Sequence, residues 1–164
     1  NDGSVSERFA IARSVWEVNQ DRLWLGYGPD WKKLPTVAEQ RGYLEKWKTG
    51  SEPWHSWAAN YYANNSYGQV NPHNFYLMVM FEVGVIGLAL YLLLLLAIAF
   101  LGLRLSLNLR KDSVVRSTGL ALLAYVGAYV AAGFTGGPWL PVTLLVTASL
   151  AAMLQQPEGC SKNR

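Results

Sequence analysis

Residues 77–103 read LMVMFEVGVIGLALYLLLLLAIAFLGL, and this run decides the fold class of the chain. Its only charged residue is Glu82. As an α-helix, these 27 residues would extend about 40 Å, which exceeds the ~30 Å hydrocarbon core of a bilayer. A secretory signal peptide would be shorter and would lie at the N-terminus. The run therefore predicts a helix that spans a membrane.

The rest of the chain divides into a polar part before this run and two shorter apolar stretches after it. Residues 1–76 carry eight Lys/Arg and eight Asp/Glu, together with six of the seven Trp and six of the nine Tyr. We therefore predict an all-α membrane protein, with multi-pass transmembrane helices and a large, partly helical periplasmic loop. The predicted segments are the loop with its amphipathic helix at 1–72, transmembrane helices at 73–104, 114–134 and 139–154, a cytoplasmic loop at 105–113, a periplasmic turn at 135–138 and a cytoplasmic tail at 155–164.

The short basic connections predict the orientation. Residues 104–116 hold four Lys/Arg against one acidic residue, and the tail at 155–164 holds two against one. Because positive charge marks the cytoplasmic side, residues 1–72 are expected in the periplasm. The net charge of +3 is therefore a topology signal and gives no indication of nucleic-acid binding.

The start of the chain, Asn1-Asp2-Gly3, has neither an initiator Met nor a signal peptide. We therefore expect the chain to be the C-terminal part of a larger multi-pass protein, and to be inactive on its own. The single cysteine, Cys160, lies in the predicted tail, so packing alone is expected to hold the periplasmic loop.

Within the loop, a helix is predicted from Val5 to about Asn19, with Ser4 and Glu7 forming a capping box. Its broad apolar stripe suits either the membrane surface or neighbouring helices. The sequence Leu25-Gly26-Tyr27-Gly28-Pro29 then predicts a turn. Its two glycines could let backbone amides approach a ligand, or could simply reverse the chain.

The sequence Asn71-Pro72-His73-Asn74 lies at the mouth of the first span. Asn71 is a good helix N-cap and Pro72 fits the first helical position, which would put His73 in the first turn. A neutral imidazole there could take the proton of a hydroxyl, whereas the plainer role is an interfacial anchor. The other histidine, His55, is assigned a structural role.

Glu82 would be costly inside a span unless it faces protein or water, so a structural hydrogen bond to a helix that is missing from this chain is expected there. On a straight helix, nine positions put Glu82 and His73 on opposite faces, so the two would form no catalytic pair. Gly84 and Gly87 would give the same helix a smooth surface for close packing against another helix.

These elements resemble the O-antigen ligase/polymerase family over about residues 5–105. The resemblance rests on Arg8, on the Leu25–Pro29 element, and on His73-Asn74-Phe75-Tyr76-Leu77 followed by Glu82-Val83-Gly84-Val85-Ile86-Gly87-Leu88. One departure is Leu23-Trp24, which stands where a proline commonly precedes the glycine element.

The resemblance implies a metal-independent oligosaccharide transferase of the bacterial inner membrane that uses no cofactor. Its donor would be a glycan on undecaprenyl pyrophosphate, and its acceptor a hydroxyl of lipid A-core or of a glycan, among membrane lipids. His73 would be the general base or would orient the acceptor hydroxyl, and Arg8 would bind the pyrophosphate. Asn74, Gly26 and Gly28 would contribute to substrate binding.

Other functions stay open on the residues alone. A polymerase of the same family would extend an O-antigen or exopolysaccharide chain instead of attaching it. A membrane transporter component would use Glu82 to line a pathway. A non-catalytic membrane scaffold would need neither Glu82 nor His73.

Overall fold

The structure, a computed structural model, describes residues 3–107 and 113–134. Within these ranges the chain is helical and contains no strand, which confirms the all-α prediction for this part. The helices run Gly3–Gln20 (α1), Leu34–Gln40 (α2), Tyr43–Lys48 (α3), Pro53–Asn64 (α4), Phe75–Leu107 (α5) and Ser113–Gly133 (α6), and a 3-10 turn occupies Trp31–Lys33.

The chain divides into two compact units. Among the described residues, the first unit contains residues 3–91 with 132–134, and the second contains residues 92–107 and 113–131. Helices α1 to α4 and the first part of α5 belong to the first unit. Every residue that the sequence singled out for the site lies there as well.

The core of the first unit is built around Trp47 of α3, whose side chain is fully buried. The ring centroids of Tyr62, Tyr43 and Trp54 lie 5.0, 5.5 and 6.2 Å from that of Trp47. Aromatic pairs at such distances add about 0.5–1.5 kcal/mol each beyond the area that they bury. The indole N–H of Trp47 donates to Glu17 of α1 at 2.8 Å, so the polar atom of the buried ring is satisfied.

Helix α1 packs against this core through one apolar row. The row consists of Ile11, Val15 and Val18, all buried. Beside it, the hydroxyl groups of Ser14 and Tyr62 lie 3.0 Å apart and tie α1 to α4. Neighbouring helices therefore cover this row, whereas Phe9 and Trp16 stay 58% and 44% exposed.

Helices α5 and α6 are the two described helices that are long and apolar enough to cross a membrane. They overlap the predicted spans at 73–104 and 114–134. The third predicted span at 139–154, together with the turn before it and the tail after it, lies outside the described residues.

Within the second unit, α5 and α6 come close at a pair of glycines. A Cβ atom added to Gly102 of α5 would lie 3.1 Å from the carbonyl oxygen of Gly119 in α6. One added to Gly119 would lie 2.6 Å from the amide nitrogen of Ser106. Small residues permit this approach, at two glycines that the sequence analysis did not single out for helix packing.

Helix α5 is broken at Gly84, whose φ of 68° and ψ of −172° are not helical. The expectation of a straight helix is wrong at Gly84. His73 precedes the first residue of α5, Phe75, and has a φ of 48°, so helical periodicity does not place it on the face opposite Glu82. From Val85 to Leu107 the helix would extend about 34 Å, which by itself spans the ~30 Å hydrocarbon core. Glu82, before the break, is not required for that length.

Candidate functional site

The segment Leu23–Gly28, here called the inserted segment, fills the break in α5. In an unbroken helix, the amides of Val85 and Ile86 would donate to carbonyl groups four residues earlier. They donate instead to the carbonyl oxygens of Leu23 at 2.8 Å and Trp24 at 3.4 Å. The carbonyl groups of the inserted segment thus replace the helical acceptors that the amides of Val85 and Ile86 lose at the break.

The carbonyl groups that lose these donors are also satisfied by the inserted segment. The oxygen of Phe81 accepts from the amide of Tyr27 at 2.7 Å, and the oxygen of Glu82 accepts from Gly28 at 2.8 Å. Two helical hydrogen bonds are therefore replaced by four bonds between segments. Such replacement allows a helix to break without leaving backbone groups unpaired.

Gly26 and Gly84 allow the two backbones to come this close. A Cβ atom on Gly84 would lie 2.2 Å from the carbonyl oxygen of Trp24, and one on Gly26 would lie 2.6 Å from the carbonyl oxygen of Phe81. Both glycines have positive φ, 68° and 67°, a conformation that costs other residues about 1–2 kcal/mol. Gly84 therefore admits a loop rather than providing the helix-packing surface that was expected.

The carboxylate of Glu82 holds the chain after the inserted segment. Its Oε1 accepts from the amides of Asp30 at 2.9 Å and Trp31 at 2.8 Å, where the 3-10 turn begins. Glu82 therefore makes structural hydrogen bonds, but its partner is a loop of this same chain and not the missing helix that was expected.

Removing this carboxylate should loosen the inserted segment. We expect Glu82→Ala to lower the free energy of unfolding by about 1.5–3 kcal/mol, because two amides lose a charged acceptor. Glu82→Gln keeps an acceptor oxygen and should lose clearly less. Denaturant unfolding of the purified protein in detergent measures both.

The exposed Glu39 provides the control, since Glu39→Ala should leave stability within about 0.5 kcal/mol. Equal stability of Glu82→Ala and wild type would contradict the structural role. Loss of solute flux in Glu82→Gln with unchanged stability would support the transporter function instead.

Basic and aromatic side chains fix the inserted segment further. The ring of Tyr27 stacks on Phe81 with centroids 4.9 Å apart. Burial raises the pKa of the Tyr27 phenol, so its hydroxyl stays protonated and donates to the carbonyl oxygen of Val18 at 2.9 Å. The ammonium group of Lys33 donates to the carbonyl oxygens of Tyr27 at 2.8 Å and Pro29 at 2.9 Å. The sequence did not assign Lys33 to the site.

His73 lies just before α5 and not in its first turn. The prediction that Asn71 is the N-cap of this helix is therefore wrong. Asn74 takes that place, because its Oδ1 accepts from the amide of Leu77 at 3.2 Å. Asn71 instead accepts the amide of His73 at 2.8 Å through its Oδ1. His73 adopts a φ of 48°, and its side chain is exposed.

The imidazole of His73 has no hydrogen-bond or ion-pair partner among the described residues. Its backbone is nevertheless held on both sides, by the bond to Asn71 and by the start of α5 at Phe75. A free imidazole on a fixed backbone is available to a ligand. The catalytic role of His73 stays a prediction.

Arg8 is exposed on α1 and pairs with no acidic group in the described parts of the chain. The far end of α1 contacts the start of α5, where the side-chain amide of Asn19 lies 3.5 Å from the carbonyl oxygen of Leu77. Arg8 precedes Asn19 by eleven residues, about 16 Å along the helix axis. The structure therefore does not bring Arg8 into contact with His73.

The remaining glycines that the sequence singled out, Gly26, Gly28 and Gly87, lie near the break in α5. The amides of Gly26 and Gly28 are occupied, by the carbonyl oxygens of Arg22 and Glu82, each at 2.8 Å. Substrate binding by these glycines stays a prediction, while their observed role is to admit the backbone of α5. Gly87 faces the side chain of Val83, 2.3 Å from where its own Cβ would lie.

No group of three His, Cys, Asp or Glu in residues 3–107 and 113–134 is arranged to hold a metal ion. The arrangement offers an exposed, unpaired imidazole at the end of a fixed loop and an exposed guanidinium on the neighbouring helix α1. These are groups for proton transfer and for binding an anion.

Comparison with known proteins supports the resemblance. A family model described as O-antigen ligase matches residues 1–92, more than half of the 164 residues. The matched range includes α1 to α4, the inserted segment, His73 and the break at Gly84. No curated protein and no solved structure matches the chain.

Proposed function

Because the chain belongs to the O-antigen ligase family, we propose that it acts as a membrane glycosyltransferase in cell-surface polysaccharide synthesis. The proposed reaction moves a glycan from undecaprenyl pyrophosphate to a hydroxyl group of lipid A-core or a related acceptor. The observation that carries the proposal is the family match over the range that holds the exposed, unpaired His73.

In the proposed reaction, the acceptor oxygen forms a bond to the anomeric carbon of the first sugar of the donor. The bond between that carbon and the pyrophosphate breaks, and undecaprenyl pyrophosphate leaves. The imidazole of His73 takes the proton of the acceptor hydroxyl, as general base. No redox step or metal ion is needed to balance the reaction.

Arg8 would bind the pyrophosphate, because a guanidinium group matches phosphate oxygens with two parallel hydrogen bonds. Arg8 and His73 do not touch in this structure. Because the pyrophosphate is bonded directly to the anomeric carbon that reacts, the proposal requires the two side chains to approach the same bond when the donor is bound. Residues 1–72 would then lie on the periplasmic side of the bacterial inner membrane, where such donors are used.

The test is glycan transfer by the purified full-length protein that contains this chain, in lipid, with undecaprenyl-pyrophosphate glycan as donor and lipid A-core as acceptor. A ligase yields one product band, while a polymerase of the same family yields a ladder of donor-linked chains. Arg8→Ala should raise the donor concentration needed for half-maximal rate about tenfold or more, because a charge-assisted contact is lost.

Arg8→Lys keeps the charge without the bidentate geometry, and we expect an intermediate effect. The exposed Arg22 is the matched control, since Arg22→Ala should leave donor dependence unchanged. Absence of both products from the wild-type protein would contradict the proposed function. An unchanged donor dependence in Arg8→Ala would remove Arg8 from the proposal.

A further inference from the structure

A cleft opens between the first half of α1 and the start of α4, away from His73 and the inserted segment. Its volume is about 340 Å³, within the range of ~300–1,000 Å³ that is usual for small-molecule sites. We call it the aromatic cleft. Its apolar lining residues are Phe9, Ala10, Pro53, Trp54 and Trp57.

The two indole rings of the aromatic cleft are held in place from behind. Trp57 stacks on Tyr61 with centroids 4.7 Å apart and ring planes 15° from parallel. Trp54 packs edge-on against the buried Trp47, with centroids 6.2 Å apart. Both rings are only half-buried, so the remaining surface is free to contact a ligand. Rings fixed in advance lose little conformational entropy when a ligand binds.

One charged residue, Glu52, belongs to the lining of the aromatic cleft. Arg13 is not among the lining residues, although its guanidinium group lies 5.9 Å from the ring centroid of Phe9. A carboxylate accepts hydrogen bonds, so Glu52 can accept from the hydroxyl groups of a ligand.

This combination selects a class of ligand. Small-molecule sites are lined mainly by apolar and aromatic side chains with a small number of polar groups, as this cleft is. The negative charge of Glu52 in the lining disfavours a phosphate or an anionic lipid headgroup, and no lysine lines the cleft to attract one. A neutral ring with an apolar C–H face and hydroxyl groups at its edge fits both the aromatic lining and Glu52.

We propose that the aromatic cleft, whose Phe9 directly follows Arg8 on α1, binds a pyranose ring of the glycan. The choice of a sugar as ligand rests on the proposed function. The physical basis is the contact of the sugar C–H face with Trp57 and Phe9, together with hydroxyl groups paired at Glu52. The cleft would hold the glycan chain away from the reacting bond.

The proposal is tested by calorimetric titration of the full protein in lipid nanodiscs. The probe is the set of oligosaccharides released by mild acid from the surface polysaccharide of the source organism. Phe9→Ala and Trp57→Ala should each weaken binding at least tenfold. Because Phe9 is 58% exposed, its replacement should leave the fold intact, which circular dichroism checks.

Trp16 is the matched control, since it is an exposed aromatic residue on α1 outside the cleft, and Trp16→Ala should bind like wild type. The proposal that the cleft binds a sugar would be overturned if Phe9→Ala and Trp57→Ala bound the oligosaccharides as wild type does, or if wild type did not bind them. Either result is compatible with normal transfer activity. If wild type bound the oligosaccharides and the Phe9 and Trp57 variants did not, but no transfer occurred, the sugar-binding proposal would stand and the proposed function would be contradicted. Quenching of wild-type fluorescence by brominated phospholipids, lost in Trp57→Phe, would place an acyl chain in the cleft and overturn the proposal.

Discussion

His73→Asn should lower the rate of glycan transfer by about 10²–10⁴-fold, the contribution that a positioned general base usually makes. Asparagine is the informative replacement because His73 has a φ of 48°. Among residues with a side chain, asparagine accepts this conformation well. The variant therefore removes the imidazole while keeping the backbone that Asn71 and the start of α5 hold.

The measurement is the initial rate of transfer at saturating donor, compared at equal amounts of folded protein in the membrane. His55 provides the matched control. Its Nδ1 accepts from the amide of Glu52 at 3.2 Å at the start of α4, so His55→Ala should cost about 1 kcal/mol of stability at most. It should leave transfer intact. A transfer rate in His73→Asn equal to that of wild type would rule out His73 as the base.

Gly84→Ala should destabilise the protein by about 3 kcal/mol or more. Its Cβ would lie 2.2 Å from the carbonyl oxygen of Trp24, on a residue with a φ of 68°. Either the inserted segment is expelled and up to four hydrogen bonds between segments are lost, or the helix straightens and Glu82 loses its partners. Both outcomes disturb the loop that leads to the site, so transfer should fall together with stability.

Substitutions at two other glycines distinguish the cost of a positive φ from the cost of the close approach to Trp24. Gly42 has a φ of 76° with nothing within 4 Å of an added Cβ, so Gly42→Ala should show the backbone cost alone, about 1–2 kcal/mol. Gly127 in α6 also meets open space but is helical, and Gly127→Ala should be neutral or slightly stabilising. Thermal unfolding in detergent measures all three. If Gly84→Ala behaves like Gly42→Ala, the close approach to Trp24 does not matter.

The proposed reaction and the fold are linked at the inserted segment. The break at Gly84 lets the residues that precede the membrane helix pack on the helix itself, through Tyr27 on Phe81 and through the carboxylate of Glu82. This packing ties the loop to α5 a few residues after His73. Rigid support of this kind is what a positioned catalytic group requires.

The sequence by itself determined the features that depend on local composition and spacing. The apolar run after Leu77 identified a membrane-spanning helix, because length and hydrophobicity are properties of neighbouring residues. The apolar stripe near the N-terminus predicted α1 to within about two residues at each end, although the helix begins at Gly3 and so contains Ser4, the expected N-cap. The family motif drew attention to Arg8 and His73, which the structure shows exposed and available.

Only the tertiary structure decided the roles of Gly26, Glu82 and Gly84. The partners of these residues lie more than fifty positions away in the chain, and helical periodicity carries no information about such pairs. A glycine in an apolar run looks the same whether it packs against another helix or admits a loop. What distinguishes the two is its left-handed backbone, which exists only because the inserted segment supplies the hydrogen bonds that the broken helix gives up.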